Sequence, residues 1–398
     1  MSSPANKMPR NPGSLRPGDH FGRYQLLERI GKGGMAEVFR AVAQGAQGFE
    51  REFVVKRIRP DKSDSPKFVQ MFCEEARISA LLNHPNIVQV YDFGHIDGAY
   101  FMVMEHLVGK DLSTVMRAVR ARQGAVPPSV AVYVAREAAR ALHHAHTLVL
   151  PDGRAGGVVH RDVTPSNLML LKAGGVKILD FGIAKAAALA RRPDTTGKTP
   201  RLAGKLAYLS PELVRGTPID HRTDIFSLGV VLWEMVAGQR LFAGETDSDT
   251  LHNVLMHPIA EPSRRRDGIP AVLDAIVARA LERDPSRRHE TAEQFANELD
   301  RFLVEMPMGD QAIPQMLEEL FSAAPPPKRD EPTENPSATY FANGGEADPG
   351  STQGTGSRVG YRTLPPPQPP KMSMFTLIGI FAMVVAAVVT VGRLVLRH

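Results

Sequence analysis

The sequence contains almost no cysteine, since Cys73 is the single one in 398 residues. One thiol excludes an internal disulfide and suits a reducing compartment. The chain also has no large excess of charge of either sign. It contains 48 Lys and Arg residues and 43 Asp and Glu residues, which gives a formal net charge of +5. So small an excess does not indicate a nucleic-acid-binding protein. Residues 1–22 lack an apolar run, so we expect a disordered segment and not a signal peptide.

The stretch 158–182 carries most of the chemical information. It contains the run H-R-D-V-T-P-S-N, which ends at Asn167, and later the triplet D-F-G, which begins at Asp180. Asp162 can accept a hydroxyl proton, while Asn167 and Asp180 offer the oxygen ligands that hold Mg²⁺ against nucleotide phosphates. Two short apolar segments around Gly174-Gly175 predict a β-hairpin. A hairpin of this length returns Asp180 to the side of Asn167, where both could share one metal ion.

Together and in this order, the two motifs resemble the catalytic loop and the metal-binding loop of protein kinases. The resemblance implies an α+β, two-lobed protein kinase fold, with a small antiparallel β-sheet lobe that carries one helix and a large, mainly helical lobe. It implies a kinase domain over residues 23–304 that uses ATP and Mg²⁺, with Asp162 as the catalytic base and Asn167 and Asp180 as metal ligands. The runs G-G-M-A-E-V and H-R-D-V-T-P-S-N, and a Pro-rich segment behind the domain, are similar to bacterial Hanks-type Ser/Thr kinases in particular.

A glycine-rich turn, Gly31–Val38, follows a predicted strand, Tyr24–Ile30. Glycines let a backbone turn tightly and bring its N–H groups close to phosphate oxygens. The turn resembles the phosphate-covering loop of kinases, with Ala36 in place of the third glycine. By the same resemblance Met104 is the gatekeeper beside the adenine, and the backbone of the hinge binds that ring. The nucleotide-binding residues implied in this way are Ile30, Gly31, Lys32, Gly33, Gly34, Met35, Ala36, Glu37, Val38, Val54, Lys56, Met104, Glu105, Leu107 and Met169.

A lysine and a glutamate in the first part of the chain are predicted to pair. Lys56 ends an apolar run typical of a strand, and Glu75 lies in a predicted helix, Ser65–Leu82, with Ser65 as its N-cap. Glu75 falls on the apolar face of that helix, and a buried carboxylate needs a cation. We therefore expect Lys56 to pair with Glu75, which the resemblance makes part of the catalytic machinery. Cys73, on the same helix, is predicted to be a buried, inert thiol.

The second half of the domain predicts a helical lobe. The run Ser210-Pro211-Glu212 resembles the A-P-E motif of kinases, whose glutamate is expected to pair with Arg288. A helix over Ile225–Gly238 is apolar nearly all round and should be buried. Another predicted helix, Val130–Leu148, contains three histidines, but no cysteine or carboxylate cluster joins them, so we do not expect a metal site there. These histidines are His143, His144 and His146.

The segment 180–212 is the implied activation segment, and its middle is polar. Arg161, beside the catalytic Asp162, is the kind of cation that binds a phosphorylated threonine. We therefore expect that phosphorylation of this segment regulates the protein. The candidate positions are Thr195, Thr196 and Thr199.

Two departures from the family pattern concern Thr164 and Lys205. Ser/Thr kinases usually carry a lysine two residues after the catalytic aspartate, where it contacts the transferred phosphate, and here that position is Thr164. They usually carry a threonine after a glycine ahead of the A-P-E motif, and here that position is Lys205, after Gly204. We hypothesise that Lys205 replaces the missing lysine. The alternative is that Thr164 weakens the enzyme and that Lys205 points to solvent. The departure also leaves open whether the acceptor is Ser/Thr or Tyr.

The C-terminal part of the chain predicts a membrane tether. Residues 305–321 should form a short helical extension, and residues 322–371 are a Pro/Gly/Ser-rich, disordered linker that cannot bury enough apolar surface to fold. Residues 372–392 contain no charge and would cover about 30 Å as a helix, the thickness of a bilayer core. They predict a single transmembrane helix in the cell membrane, with the kinase domain in the cytoplasm and a short tail, 393–398, across the membrane. Two alanines at helical spacing in this segment could support a homodimer.

The sequence therefore predicts a membrane-tethered kinase that transfers the γ-phosphate of ATP to Ser and Thr hydroxyls of cytoplasmic proteins. Its expected partners are ATP, protein substrates and the lipid bilayer, with no nucleic acid. One alternative is a pseudokinase that anchors partners at the membrane; the full set of catalytic residues argues against it, and Thr164 is the only point in its favour. Another is a small-molecule phosphotransferase, which the segment that resembles A-P-E, with its partner Arg288, speaks against.

Overall fold

The structure is a computed structural model that describes residues 17–45, 49–96, 98–150, 152–181 and 204–322. Several predictions lie outside the described residues: Gly182 of the D-F-G triplet, the three threonines of the activation segment, the linker and the span 372–392. Within the part of the chain that the structure describes, no helix has both the length and the apolar character needed to cross a membrane.

The first part of the chain folds into a six-stranded antiparallel sheet with the strand order β1-β2-β3-β4-β6-β5. Its strands are β1 His20–Phe21, β2 Tyr24–Lys32, β3 Ala36–Gln44, β4 Glu50–Ile58, β5 Val90–Ile96 and β6 Ala99–Glu105. Two helices lie in the chain between β4 and β5, a short α1 (Pro60–Ser63) and the longer α2 (Pro66–Leu81).

The apolar side chains of this sheet divide into two clusters. Along β4, Val54 belongs to a cluster that also contains Phe72 of α2, whereas Val55 belongs to the other cluster. Along β3, Val38 and Phe39 divide in the same way. Successive residues of a strand point to opposite faces, so these central strands can be apolar throughout and still pack on both sides.

Helix α2 begins at Pro66 with Ser65 at the N-cap position, as predicted, although the Ser65 side chain makes no capping hydrogen bond. Cys73, predicted to be buried, is partly exposed, because it lies beside the buried face that Phe72 and Glu75 occupy. Partial burial still raises the pKa of the Cys73 thiol, which keeps it protonated and unreactive.

The larger lobe contains a three-stranded antiparallel sheet with the order β7-β8-β9 and is otherwise mainly helical. Its strands are β7 Gly109–Asp111, β8 Leu168–Leu171 and β9 Val176–Ile178. Its helices are α3 Leu112–Ala121, α4 Pro128–His146, α5 Pro211–Arg215, α6 Arg222–Ala237, α7 Asp247–Met256, α8 Ala271–Ala280, α9 Ala292–Glu305 and α10 Ala312–Phe321. The pairing of β8 with β9, in which Leu168 lies opposite Ile178, confirms the predicted hairpin.

Helix α6 lies at the centre of the larger lobe. Every residue from Thr223 to Val236 is buried, as predicted for a helix that is apolar nearly all round. Gly229 allows its close approach to α8, because an added Cβ would lie only 3.0 Å from the Cβ of Ala280. The lobe is thus built around one helix whose polar residues must find partners inside the protein.

Helix α10 packs against α3 and β8 and extends the core of the larger lobe. Its residues Ile313 and Leu317 are buried in that core. Arg122, which follows α3, donates to the carbonyl oxygens of Glu319 and Leu320 at 2.9 and 3.2 Å. These bonds satisfy carbonyl groups of the last helical turn, which have no partner within the helix.

A buried ion pair joins α5 to the segment before α9. Nη1 and Nη2 of Arg288 each lie 2.7 Å from a carboxylate oxygen of Glu212, and Oγ1 of Thr223 donates to the same carboxylate at 2.7 Å. Burial alone would raise the pKa of Glu212, but the hydrogen bonds and the charge of Arg288 lower that pKa below its ordinary value of 4.5. The pair expected from the sequence is therefore present, with bidentate geometry.

Replacement of Arg288 by alanine should lower the free energy of unfolding by about 3–5 kcal/mol, because it leaves the carboxylate of Glu212 buried without a cation. Urea unfolding at pH 7, followed by circular dichroism, measures this change. The matched control is Arg264→Ala, which removes an exposed ion pair with Glu261 and should cost about 0–1 kcal/mol. Equal losses in the two variants would contradict the prediction.

The difference in unfolding free energy between the parent and Arg288→Ala should depend on pH, and the direction follows from the pKa of Glu212. The folded-state pKa of Glu212 is depressed, so the stabilisation that the pair provides is complete above about pH 4.5, the ordinary pKa, and is lost as the pH falls through the lower folded-state value. The difference between the parent and Arg288→Ala should therefore shrink in acid.

Candidate active site

Lys56 lies at the centre of a cluster of opposite charges between the two lobes. It belongs to β4, and the pairing of that strand with β3 and β6 fixes its position. Its Nζ is 2.6 Å from Oε1 of Glu75 and 2.8 Å from Oδ1 of Asp180. Glu75 comes from α2 and Asp180 follows β9, so one ammonium group joins the sheet of the small lobe, its helix and the larger lobe.

The two carboxylates of this cluster differ in exposure. The side chains of Lys56 and Glu75 are each 8% exposed, whereas that of Asp180 is 22% exposed. A buried carboxylate is costly unless a cation pairs with it, which explains how Glu75 can lie on the apolar face of α2 beside Phe72. Asp180 is the more open of the two and is therefore the carboxylate that can reach a bound ligand.

The β8–β9 hairpin brings Asn167 and Asp180 to the same end. The backbone N–H of Leu179 donates to the carbonyl oxygen of Asn167 at 2.9 Å. Asp180 follows with a φ of +41°, a left-handed conformation that is uncommon for a residue with a Cβ. The next residue, Phe181, is buried, with its ring 4.7 Å from that of His160. The sequence-based expectation that the hairpin returns Asp180 to Asn167 agrees with this arrangement.

The carboxylate of Asp162 contacts Asn167 and Lys205. Nδ2 of Asn167 donates to its Oδ2 at 2.7 Å and to its backbone carbonyl at 2.7 Å. Nζ of Lys205 lies 3.4 Å from the same Oδ2, and the Lys205 side chain is only 16% exposed. Lys205 thus faces the site and does not point to solvent. Oγ1 of Thr164 lies 2.9 Å from Oγ of Ser166.

Asp224 fixes the backbone of the loop 160–167. Its carboxylate accepts hydrogen bonds from the backbone N–H groups of His160 at 2.7 Å and Arg161 at 2.8 Å, and Nε2 of His146 lies 2.8 Å from it. Arg161 has a φ of +61°, a strained conformation that persists only where the surroundings impose it. The buried carboxylate supplies that constraint.

Asp224 is ionised although it is completely buried. Burial alone would raise its pKa, but the hydrogen bond and charge of His146, together with His160, lower that pKa below its ordinary value of 3.8. The sequence predicts only a buried helix that begins next to Asp224, at Ile225, and this role of the aspartate was missed. A signal was available, because a charged residue in the first turn of an apolar helix must find donors.

Each histidine of α4 contacts another side chain, and Nε2 of His143 lies 3.7 Å from Glu293. Nε2 of His144 and Nδ1 of His146 are nevertheless buried without a hydrogen-bond partner among the described residues. His146 pairs with Asp224, and the ring of His144 lies 5.2 Å from that of His84. Within the described ranges, no group of three or more His, Cys, Asp or Glu side chains is arranged to hold a metal ion.

An apolar cluster contains residues from both lobes and lies next to the charged site. Most of the apolar residues assigned to nucleotide binding belong to it or pack against it. They are Ile30, Ala36, Val38, Val54, Met104, Leu107 and Met169. The apolar residues that the family resemblance assigns to the adenine therefore lie together, next to the charged groups of the site.

The glycine-rich turn is a tight hairpin between β2 and β3 whose tip is formed by Gly33, Gly34 and Met35. Arg59 holds this tip. Its side chain donates to the carbonyl oxygen of Gly33 at 3.2 Å, and its backbone N–H donates to that of Met35 at 2.9 Å. The sequence analysis missed Arg59, since nothing in the local pattern marks it.

Two glutamates assigned to nucleotide binding direct their side chains to cations of the protein. Glu37 lies 3.5 Å from Arg29 and 3.9 Å from Lys32, and Glu105 pairs with Lys177. Their carboxylates are therefore structural, and any contact that these two residues make with a nucleotide comes from the backbone.

The oxygen donors at the end of the hairpin fit one divalent cation. Asn167 uses Nδ2 for Asp162, so its Oδ1 is the atom with which it can bind a cation. Asp180 adds a carboxylate. Mg²⁺ typically takes one or two protein oxygens and completes its shell with phosphate oxygens and water. The donor set is consistent with that cation.

Comparison with known proteins agrees with this geometry. Residues 24–299 match the family model described as the protein kinase domain. The chain is 42% identical over 315 residues to tyrosine-protein kinase MasK of Myxococcus xanthus, a match that covers 79% of this chain and 48% of MasK. It is 36% identical over 285 residues to serine/threonine-protein kinase PknB of Mycobacterium leprae, covering 70% of this chain and 43% of PknB.

A solved structure, the PknI kinase domain of Mycobacterium tuberculosis, is similar with a TM-score of 0.53 and 25% sequence identity. The match covers 72% of this chain and 99% of that domain. The chain spans less than half the length of the curated relatives named above. These matches confirm the two-lobed fold predicted from the sequence.

Proposed function

Because the chain belongs to the protein kinase family, we propose that it transfers the γ-phosphate of ATP to Ser and Thr hydroxyls of proteins. The observation that carries the proposal is the contact of the Lys56 ammonium with both Glu75 and Asp180. Active kinases need the Lys–Glu pair and the metal-binding aspartate in place together. Here one cluster contains all three groups.

Each residue of the site has a role that follows from its contacts. Lys56 would bind the α- and β-phosphates, with Glu75 fixing the position of its ammonium. Asn167 and Asp180 would hold Mg²⁺, which neutralises charge on the phosphates when bound. Asp162 would orient the substrate hydroxyl and accept its proton, and the hydrogen bond from Asn167 orients the carboxylate for this task.

A second part of the proposal is the type of residue whose hydroxyl accepts the phosphate. PknB is named a serine/threonine kinase, whereas MasK is named a tyrosine kinase and is more similar to this chain than PknB is. Thr164 stands at a position where lysine helps to mark Ser/Thr kinases. We propose Ser and Thr as acceptors and keep Tyr as the second candidate, because these two observations favour it.

An inactive membrane scaffold and a small-molecule phosphotransferase are less well supported. A scaffold would not need the paired charges of Lys56 or the hydrogen-bonded carboxylate of Asp162. The buried Glu212–Arg288 pair belongs to the segment that resembles the A-P-E motif of protein kinases, which speaks for a protein substrate.

Replacement of Asp162 by asparagine should reduce kcat by about 10²–10⁴-fold, because the general base is lost. The full chain is incubated with labelled ATP, Mg²⁺ and three peptides that differ only in a Ser, Thr or Tyr acceptor. We expect transfer to the Ser and Thr peptides by the parent and strongly reduced transfer by the variant. Asp152→Asn, in an exposed turn, is the matched control and should keep the parent's rate.

The outcomes separate the candidate functions. Transfer to the Tyr peptide alone would replace the proposed specificity by the second candidate. If the parent transfers phosphate to no peptide and not to itself, the kinase proposal fails and the scaffold is favoured.

We propose that phosphorylation of the activation segment regulates the enzyme. Arg161 supports this proposal, because its Nε is buried and has no hydrogen-bond partner among the described residues. A buried guanidinium nitrogen without an acceptor favours an anionic ligand. Mass-spectrometric peptide mapping after incubation with Mg²⁺ and ATP should find phosphate on at least one of Thr195, Thr196 and Thr199. Phosphate confined to other peptides would count against this regulation.

We propose further that residues 372–392 tether the chain to the cell membrane, with the kinase domain in the cytoplasm, where ATP is available. The support comes from the sequence: the segment has no charge and follows a Pro-rich linker of about fifty residues, which would span roughly 40 Å. After expression in bacteria, the full chain should remain with the membranes on alkaline carbonate extraction. A chain that lacks residues 372–392 should be released, and release of the full chain as well would argue against the tether.

A further inference from the structure

We infer that Lys205 is a catalytic cation of this protein and that Arg240 is its positioning residue. The inference rests on the proposed function and adds to it the source of positive charge beside the transferred phosphate. The sequence shows only that lysine and threonine have exchanged places relative to the family pattern. The structure shows what surrounds each of them.

Lys205 approaches the catalytic carboxylate from the activation segment. Its Nζ lies 3.4 Å from Oδ2 of Asp162, and the two side chains are 16% and 8% exposed. At this separation and burial, water and salt screen the ammonium charge only in part. The ammonium thus lies beside the group that accepts the hydroxyl proton, and so beside the oxygen that attacks the phosphate.

Thr164 cannot supply this charge. Its side chain is buried, and its neutral hydroxyl lies 2.9 Å from Oγ of Ser166 within the same loop. Phosphoryl transfer spreads negative charge over the phosphate oxygens, and preorganised cations stabilise that charge. Lys56 is engaged with Glu75 and Asp180 at the other end of the site. Nζ of Lys205, in contrast, lies beside Asp162.

Arg240 contacts residues on both sides of Lys205, the backbone of Gly204 and the side chain of Tyr208. Its Nη2 donates to the carbonyl oxygen of Gly204 at 3.0 Å, and its Nη1 donates to the hydroxyl oxygen of Tyr208 at 3.1 Å. Gly204 directly precedes Lys205, and Tyr208 ends the single 3-10 turn Leu206–Tyr208 that follows it. One guanidinium group therefore holds the short segment that carries the lysine.

Glu234, a buried residue of α6, contacts both Tyr208 and Arg240. Oε2 of Glu234 accepts the Tyr208 hydroxyl hydrogen at 2.8 Å, and its Oε1 lies 3.7 Å from Nε of Arg240. The backbone N–H of Leu241 donates to the same Oε1 at 3.1 Å. Glu234 is fully buried, so this chain of contacts runs from the core of the larger lobe to the backbone of Lys205. Lys205 therefore lies beside Asp162 only when residues 204–208 are packed against Arg240 and Glu234.

A purely structural lysine would behave differently from a catalytic one. If Lys205 acted only through the packing of its own segment, a lysine placed at position 164 would not restore kcat. A cation that stabilises the transferred phosphate can act from either position, because the family pattern places its lysine at position 164. A double variant that exchanges the two residues therefore distinguishes the two roles.

Steady-state kinetics of the full chain with Mg²⁺, ATP and the acceptor peptide test the inference. Lys205→Ala should lower kcat by about 10²-fold or more, with little change in KM for ATP. Arg240→Ala should lower kcat without raising that KM, and Arg240→Lys should recover part of the loss. Lys172→Ala, at an exposed lysine in the β8–β9 turn, is the matched control and should keep the parent's kcat.

A double variant, Thr164→Lys with Lys205→Thr, places both residues in the usual family arrangement. It should restore kcat to within about tenfold of the parent, because the cation again lies beside Asp162. Addition of Arg240→Ala to this double variant should have little further effect on kcat, since the lysine then belongs to the loop that Asp224 fixes.

The results separate this inference from the proposed function. An unchanged kcat for Lys205→Ala, in a chain whose activity depends on Asp162, would overturn the inference and leave the kinase function standing. A loss that the double variant does not restore would also overturn it. If Arg240→Ala is as harmful in the double variant as in the parent, its positioning role is wrong. A parent chain that transfers no phosphate would overturn both the inference and the proposed function.

Discussion

The ammonium group of Lys56 holds three separate parts of the molecule in one arrangement. It lies between a carboxylate of helix α2 and a carboxylate at the end of the β8–β9 hairpin, within 2.8 Å of each. Two carboxylates so close together would repel each other without this cation, and the more buried of them would be unstable as an anion. The position of α2, the orientation of the hairpin end and the separation of the lobes at this point therefore all depend on a single charge.

Buried acids repeat this principle in the larger lobe. Asp224 fixes the loop 160–167, Glu212 fixes α5 through Arg288, and Glu234 fixes the turn that carries Lys205. Two of these acids belong to α6, whose remaining surface is almost entirely apolar. A rigid hydrophobic helix thus provides the fixed points from which polar side chains reach the functional loops. Apolar packing stabilises the lobe, and the buried carboxylates fix the positions of the loops.

Much of the fold and the site follows from local patterns in the sequence. The hairpin between Asn167 and Asp180 is predicted by two apolar segments around a glycine turn, and the Lys56–Glu75 pair is predicted because a carboxylate on an apolar helix face needs a cation. Such arguments succeed where the partner belongs to a recognisable motif. The identity of the acceptor substrate is not encoded in any of these patterns.

Other features depend on contacts between distant segments that no local pattern reveals. Arg59 and Arg240 lie in ordinary polar stretches, yet each holds the backbone of a functional segment. Two details of α2 have a related cause. Ser65 stands at the usual position of a capping residue and Cys73 beside the buried face, but the packing of the whole helix decides what each side chain meets.

The larger lobe continues beyond the part that matches the family model, which ends at residue 299. Helix α9 runs to Glu305, and α10 then covers α3 and β8 with Ile313 and Leu317, each side chain worth roughly 1.5–3 kcal/mol when removed from water. A protein shortened at residue 299 would lose the last turn of α9 and the whole of α10. The apolar side chains of α3 and β8 that α10 covers would then be exposed, and we expect such a protein to self-associate. Helix α10 is therefore part of the same core, and a recombinant domain should retain residues up to 322.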